Sequence, residues 1–353
     1  MSLAIPQLPF LTSTLSGVGG RIKVEPADFE VEEIPAYDPA GTGDHLYLWI
    51  EKVDLGAEFF GRQVARRLGI PTSEVGTAGL KDRRAVTRQW VSVPASCEPT
   101  LGNLEGDGIK TLRVSRHTNK LKPGHLKGNR FRILVRGAND TDVEPILQHI
   151  RTEGLPNFYG PQRFGRDGET ARLGMSILKG EPTKVRNPFV RKLALSAAQS
   201  LMFNDYLTRR MADGLFRTVL AGDVMAKWPA GGMFTAVDVP TEQARFAARE
   251  LVTAGPMFGR KTFPAHGIAA EREIIVLEAA GLSTNSFEGF GKLVMGTRRH
   301  NLIYVEDLSA TREPDGLRLT FSLPAGCYAT VLLREVMKAD SLDAEDGDGP
   351  RDG

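Results

Sequence analysis

Strand-like stretches crowd the first 155 residues, helical periodicity then takes over, and strand patterns return only near residue 305. "RIKV", "DFEVEEI" and "HLYLWIEKV" alternate or are β-rich. They precede "GAEFFGRQVARRLG", where Phe60, Val64 and Leu68 recur every four residues and Gly69 suits a C-cap, which predicts a helix. "AVTRQWVSV", "IKTLRVSR" and "FRILVRG" read as strands, and Thr141 or Asp142 can cap a helix running through Ile150. Helices are expected at "ETARLGMSILKG" with Gly180 as its stop, from Arg191 to Asp213, and from Thr241 to Thr253. "NLIYVEDL" and "LRLTFSLP" then read as strands before a short helix, "YATVLLREVMK". A β, then α, then β order is what an insertion produces, because the first and last segments can complete one sheet. The expected class is therefore α+β: a discontinuous domain of residues 1–155 and 305–353, interrupted by an α-rich domain at 156–304.

A chain of 353 residues with 41% apolar content can bury a sizeable core in each of two domains. No apolar run approaches the roughly 18 residues a membrane-spanning helix needs, and "MSLAIPQLPF" lacks the basic flank of a secretory signal. Cys97 and Cys327 lie far apart without metal-type spacing and read as free thiols. A cytoplasmic, monomeric protein without membrane attachment is expected. The formal charge of +2 conceals an asymmetry: from Asp340 onward six acids face only Arg351, so this tail carries −5 and the body +7. The tail reads as disordered; the basic body suits a polyanion.

Several features could carry chemistry. In "GTAGLKDRRAVTRQW", Asp82 stands alone among Lys81, Arg83, Arg84 and Arg88. Such an acid is either a solvated turn residue in weak ion pairs, worth roughly 0–1 kcal/mol each, or an ionised carboxylate delivered to a nucleic-acid substrate by cations that also hold phosphates. From Gly108 to Asn139 nine Lys/Arg occur with no acid, Lys120, Lys122 and Lys127 among them on a Gly/Pro-bearing loop. That block is either a solvated hairpin face or an RNA-contacting one. "NFYGPQRFGRDG", with Arg163 and Arg166, is either a packed linker or a substrate contact. The six histidines show no HxxxH or HExxH spacing, and no GxxxxGK[ST] or GxGxxG follows a strand, so neither metal nor cofactor is expected.

Taken together, "AGLKDRRAVTRQW", "LKGNRF", "NFYGPQRFG" and "LPAGCYATVLLRE" closely resemble the TruD family of tRNA pseudouridine synthases, in order and over almost the whole chain. The resemblance implies the pseudouridine synthase fold, a mixed, mainly antiparallel sheet with flanking helices, interrupted by an inserted α-rich domain particular to the family. By resemblance the catalytic aspartate falls on Asp82, its basic partner on Lys23, and a base-contacting aromatic on Phe29. The base-contacting asparagine falls on Asn129 with Phe131 in the same motif, and a second aromatic on Tyr328, where the family carries Phe. Lys81, Arg83, Arg84, Lys120, Lys122, Lys127, Arg163 and Arg166 are the candidates for holding the tRNA backbone.

The reaction so implied is isomerisation of a tRNA uridine, at position 13 of the D stem, to pseudouridine after base flipping, without cofactor. A non-catalytic RNA-binding protein on the same scaffold is the alternative; loss of Asp82 or Lys23 would mark it, and both are present. A hydrolase would need a second acid or a metal cluster, and neither is evident in the sequence.

Overall fold

A computed structural model describes residues 7–339; the acidic segment from Asp340 and the first six residues lie outside the described residues. By packing, the chain divides into two units. One gathers Leu15–Gln148, Val305–Ala329 and the chain from Leu333. The other gathers the chain to Thr14, His149–Tyr304 and Thr330–Leu332. In chain order the strands are β1 (Phe29–Pro35), β2 (His45–Val53), β3 (Gly76–Thr77), β4 (Val86–Pro94), β5 (Ile109–His117), β6 (Leu126–Arg136), β7 (Leu155–Pro156), β8 (Val224–Lys227), β9 (Met233–Thr235), β10 (Leu251–Met257), β11 (Thr297–His300), β12 (Leu302–Ile303), β13 (Ser309–Glu313) and β14 (Gly316–Pro324). The α-helices are α1 (Ala57–Leu68), α2 (Glu144–Glu153), α3 (Glu169–Leu178), α4 (Pro188–Ala212), α5 (Val239–Ala247), α6 (Gly267–Ala279) and α7 (Ala329–Met337).

The first unit is built on an eight-stranded sheet in the order β13-β14-β6-β1-β4-β2-β5, with β3 added to β4. Only β1 and β4 run parallel; every other pairing is antiparallel. Strand alternation sends Leu46, Leu48 and Ile50 of β2 and Val91 and Val93 of β4 to one face, where Phe60, Val64 and Leu68 of α1 cover them. Each such side chain contributes about 1.5–3 kcal/mol by leaving water. Gly69 ends α1 with φ +68, donating its N–H to the carbonyls of Ala65 and Arg66, as its place after the apolar repeat predicts. The opposite face carries charge in cross-strand pairs. Arg88 on β4 meets Glu51 on β2 at 2.9 Å and Glu30 on β1 at 3.4 Å, and Arg130 on β6 meets Glu32 on β1 at 3.4 Å.

The second unit has more β-structure than the sequence reading assigns it. A sheet ordered β11-β10-β8-β9 accompanies α3 to α6, and β7 pairs with β12. The stretch read as one helix from Thr241 to Thr253 is α5 ending at Ala247, a left-handed Arg249 (φ +62), and then β10. Every residue of β10 is buried, so its sequence, LVTAGPM, lacks the alternation that marks a half-exposed strand. "NLIYVEDL" contributes only Leu302–Ile303 to a strand. The expected helices α3 and α4 are present and closely packed: a Cβ at Gly174 on α3 would stand 2.0 Å from the Ala194 carbonyl oxygen on α4.

Candidate active site

Asp82 lies in the loop joining β3 to β4, with its side chain 47% exposed and its Oδ1 3.1 Å from the Nζ of Lys23. Lys23 belongs to no strand. Its backbone turns left-handed at φ +56 and ends the "RIKV" stretch after an isolated bridge at Arg21. A non-glycine residue held there stores strain of order 1 kcal/mol or more, which local contacts must offset. Lys23 Nζ also stands 4.6 Å above the ring of Phe29, and Arg84 Nη2 donates to the Val24 carbonyl at 2.7 Å, tying this segment to the Asp82 loop.

Two further tethers rise from the sheet. Lys52, Thr87, Val31, Phe131 and Phe321 form one row across β2, β4, β1, β6 and β14, neighbour opposite neighbour. At its β2 end Lys52 is fully buried and its Nζ donates to the backbone carbonyl of Asp82 at 3.0 Å and to that of Leu55 at 2.6 Å. Further along β1, Glu33 lies opposite Asn129 of β6, and its carboxylate takes Lys81 Nζ at 2.7 Å. Both ends of the Lys81–Glu33 pair are buried, at 3% and 1%. Residues 81 and 82 are thus pinned from below while the Asp82 carboxylate stays open to solvent.

The aromatic row is continuous. Phe29 meets Phe131 edge-on at 6.2 Å, and Phe131 stacks on Phe321 at 5.2 Å. Phe29 is 2% exposed and Phe131 5% exposed, so neither ring presents an open stacking surface. Tyr328 is half-buried at the N-cap of α7, shortly after β14, in which Leu323 lies opposite Asn129. Among the described residues, Asn129 Oδ1, Thr87 Oγ1 and Gln89 Oε1 are buried without a hydrogen-bond partner. Buried polar atoms rarely stay unpaired.

A family model described as tRNA pseudouridine synthase D (TruD) matches residues 7–193 and 183–336. The chain belongs to the TruD family. It is 45% identical over 336 residues to the tRNA pseudouridine synthase D of Anaeromyxobacter sp. (strain Fw109-5), covering 94% of this chain and 96% of the relative. It is 43% identical to a tRNA pseudouridine synthase D of Thermus thermophilus, covering 95% of this chain and 93% of the relative. In fold it is similar to the crystal structure of a putative TruD from Methanosarcina mazei, with a TM-score of 0.75, 24% identity and coverage of 95% and 97%.

Several expectations for this TruD-family chain need correction. The cations that surround Asp82 in sequence do not surround it in space: Lys81 is inside with Glu33, Arg84 holds Val24, and Arg88 sits on the other face with Glu51 and Glu30. Its ion-pair partner comes from 59 residues away. Lys81 therefore cannot hold a phosphate. Lys120 donates to the Ser73 carbonyl, and half-buried Arg163 bonds Ser196 and Ser200 on α4, so both have local partners. Arg83, Lys122, Lys127 and Arg166 remain exposed. The acid-free block from 108 to 139 is partly balanced by acids from other segments, with Arg116 on Glu98, Arg132 on Glu30 and Arg136 on the buried Asp28. Phe158 and Phe164 of the "NFYGPQRFG" stretch are core residues, and Asn204 holds Tyr159 by both its N–H and its carbonyl at 2.9 Å.

Lys52 escaped the sequence reading. "HLYLWIEKV" reads as an ordinary strand, and Lys52 looks like one of its solvent-facing positions. One signal was available: Lys52 follows Leu46, Leu48 and Ile50 in alternation, which places it on the buried face. Burial pushes its ammonium down to about 8, against the pull of the Asp82 charge and with the repulsion of Lys81.

Proposed function

We propose that the protein isomerises a uridine of tRNA to pseudouridine, at position 13 of the D stem, with Asp82 as the catalytic carboxylate. The sheet unit acts as the catalytic domain and the α-rich unit as its insertion. One observation carries the reading: in a chain 45% identical to a tRNA pseudouridine synthase D, the motif aspartate is half-exposed, ion-paired with Lys23 at 3.1 Å, and anchored from below.

The reaction breaks the C1′–N1 bond and makes a C1′–C5 bond; the base loses a proton at C5 and gains one at N1, so nothing is oxidised and no phosphate is spent. A carboxylate can assist either by adding to the sugar carbon or by removing a proton, and both roles need the ionised form that Lys23 favours. Flipping a stacked uridine out costs a few kcal/mol. The Tyr328 ring and the unpaired Asn129 amide oxygen are suited to offset part of that cost, above a floor made by Phe29 and Phe131. Exposed Arg83, Lys122, Lys127 and Arg166 supply charge for the RNA backbone.

The test is incubation of the purified protein with unmodified tRNA transcripts, without cofactor, followed by chemical mapping of pseudouridine. A single new pseudouridine at position 13, lost in Asp82→Asn while tRNA affinity stays within a few-fold, is the expected result. Unmodified RNA at every position, or full turnover by Asp82→Asn, overturns it.

A further inference from the structure

We infer that Lys52 is a positioning residue for Asp82: from beneath the loop its ammonium holds the Asp82 carbonyl and thereby fixes where the carboxylate stands. This rests on the reading of Asp82 as the catalytic carboxylate. The Asp82 side chain alone is a poor anchor, since it is half-exposed and, among the described residues, paired at one oxygen with the flexible amine of Lys23. The backbone of its loop is tied at the edges: Gly124 donates to the Ala78 carbonyl, Ala85 to that of Arg83, and Asp54 to that of Ala85. Between those edges the anchors are side chains, Lys52 on the Asp82 carbonyl and Lys81 on Glu33.

Lys52 is an unusual choice for a structural donor. It is fully buried between Thr87 of β4 and Ile109 of β5, and among the described residues no carboxylate forms an ion pair with it. A buried cation facing only carbonyls is costly. A neutral donor in its place would hold the same oxygens at lower cost but without a charge-assisted bond, which is shorter and roughly twice as strong. The charged groups around Lys52 are Asp82, Asp54 and Lys81, and Lys81 is neutralised by Glu33. Of these only Asp82 is bonded to Lys52, through its carbonyl, so the charge on Lys52 bears on the loop that presents the carboxylate.

Single-turnover rates on a tRNA transcript, with tRNA affinity measured alongside, separate positioning from binding and folding. At pH 7.5 Lys52→Met is expected to lose roughly 10–100-fold in rate, with affinity within twofold and a native unfolding transition. The parent rate should fall as pH rises through about 8, where Lys52 gives up its proton, and this limb should be missing from Lys52→Met. Parallel pH profiles, or an unchanged rate, overturn the inference. Should Lys52→Met not fold, the parent decides alone: a profile flat from about pH 7 to about pH 9.5 overturns it. If the parent makes no pseudouridine, the proposed function fails instead. Amide exchange across residues 78–85 then judges the clamp, faster exchange in Lys52→Met supporting it and equal exchange refuting it.

Discussion

At the scale of single residues, exposure separates what Asp82 does for stability from what it does for chemistry. Its pair with Lys23 is half in water and is worth roughly 0–1 kcal/mol, so Lys23→Met should leave thermal unfolding nearly unchanged yet slow pseudouridine formation sharply; a variant of normal rate would remove Lys23 from the site. Tyr328 offers a finer cut. If its ring works by stacking, Tyr328→Phe keeps nearly full single-turnover activity, whereas Tyr328→Ala loses roughly 1–3 kcal/mol of stacking. A fall of roughly 10²–10⁴-fold in Tyr328→Phe, at unchanged tRNA affinity, would assign the hydroxyl a chemical role. Lys52 makes a prediction about stability against pH. Its folded value is about 8 and its ordinary one about 10.4. Between them the unfolded chain keeps a proton that the folded protein has released, so this group makes stability rise with pH across that window, by about 3 kcal/mol in full. Urea unfolding at pH 7.5 and pH 10 should show the parent gaining on Lys52→Met by a good part of that amount. Equal differences at both pH values would mean that Lys52 is not a buried ammonium.

At the scale of elements, the loop before β6 and the start of β6 itself are where RNA affinity can be tested. Lys122 and Lys127 are exposed, while Lys120 is held by the Ser73 carbonyl. Replacing Lys122 and Lys127 with Gln should weaken tRNA binding and flatten the plot of log affinity against log salt by roughly 1.5, with Lys120→Gln adding little. An unchanged slope would leave these lysines as solvated surface. The same elements show how far the sequence could be read. A strand with clean alternation, such as β14, is legible, and so is α1 with its four-residue repeat and terminal glycine. β10 is not, because burial on both faces erases alternation. Lys23 was read into a strand that its left-handed backbone ends. At the site, proximity in sequence is not proximity in space. Lys81 adjoins Asp82 along the chain yet turns inward, while the ammoniums that touch residue 82 come from Lys23 and Lys52. Family motifs located Asp82 and Asn129, but the pairing of strands, which no local pattern encodes, decides what stands beside them.

At the scale of the whole molecule, the sheet draws on both ends of its unit. β14 pairs along β6 from Gly316 opposite Arg136 to Pro324 opposite Gly128, burying Leu317, Leu319, Phe321 and Leu323. A chain ending before Gly316 would leave the β6 edge and its aromatic row uncovered. Such a truncation should aggregate or show no cooperative unfolding transition, even though every residue from β1 to β6 is intact. Soluble, cooperatively folding protein from that truncation would show that β14 and α7 are dispensable. The β6–β14 pairing also has a consequence in time. β6 ends at Arg136 and β14 begins at Gly316, so at a synthesis rate of about 5–20 residues per second a nascent β6 waits roughly 10–40 seconds for its neighbour. For that interval the ribosome carries a half-made sheet with a bare hydrogen-bonding edge, and the codons between the two strands set how long a chaperone has to shield it.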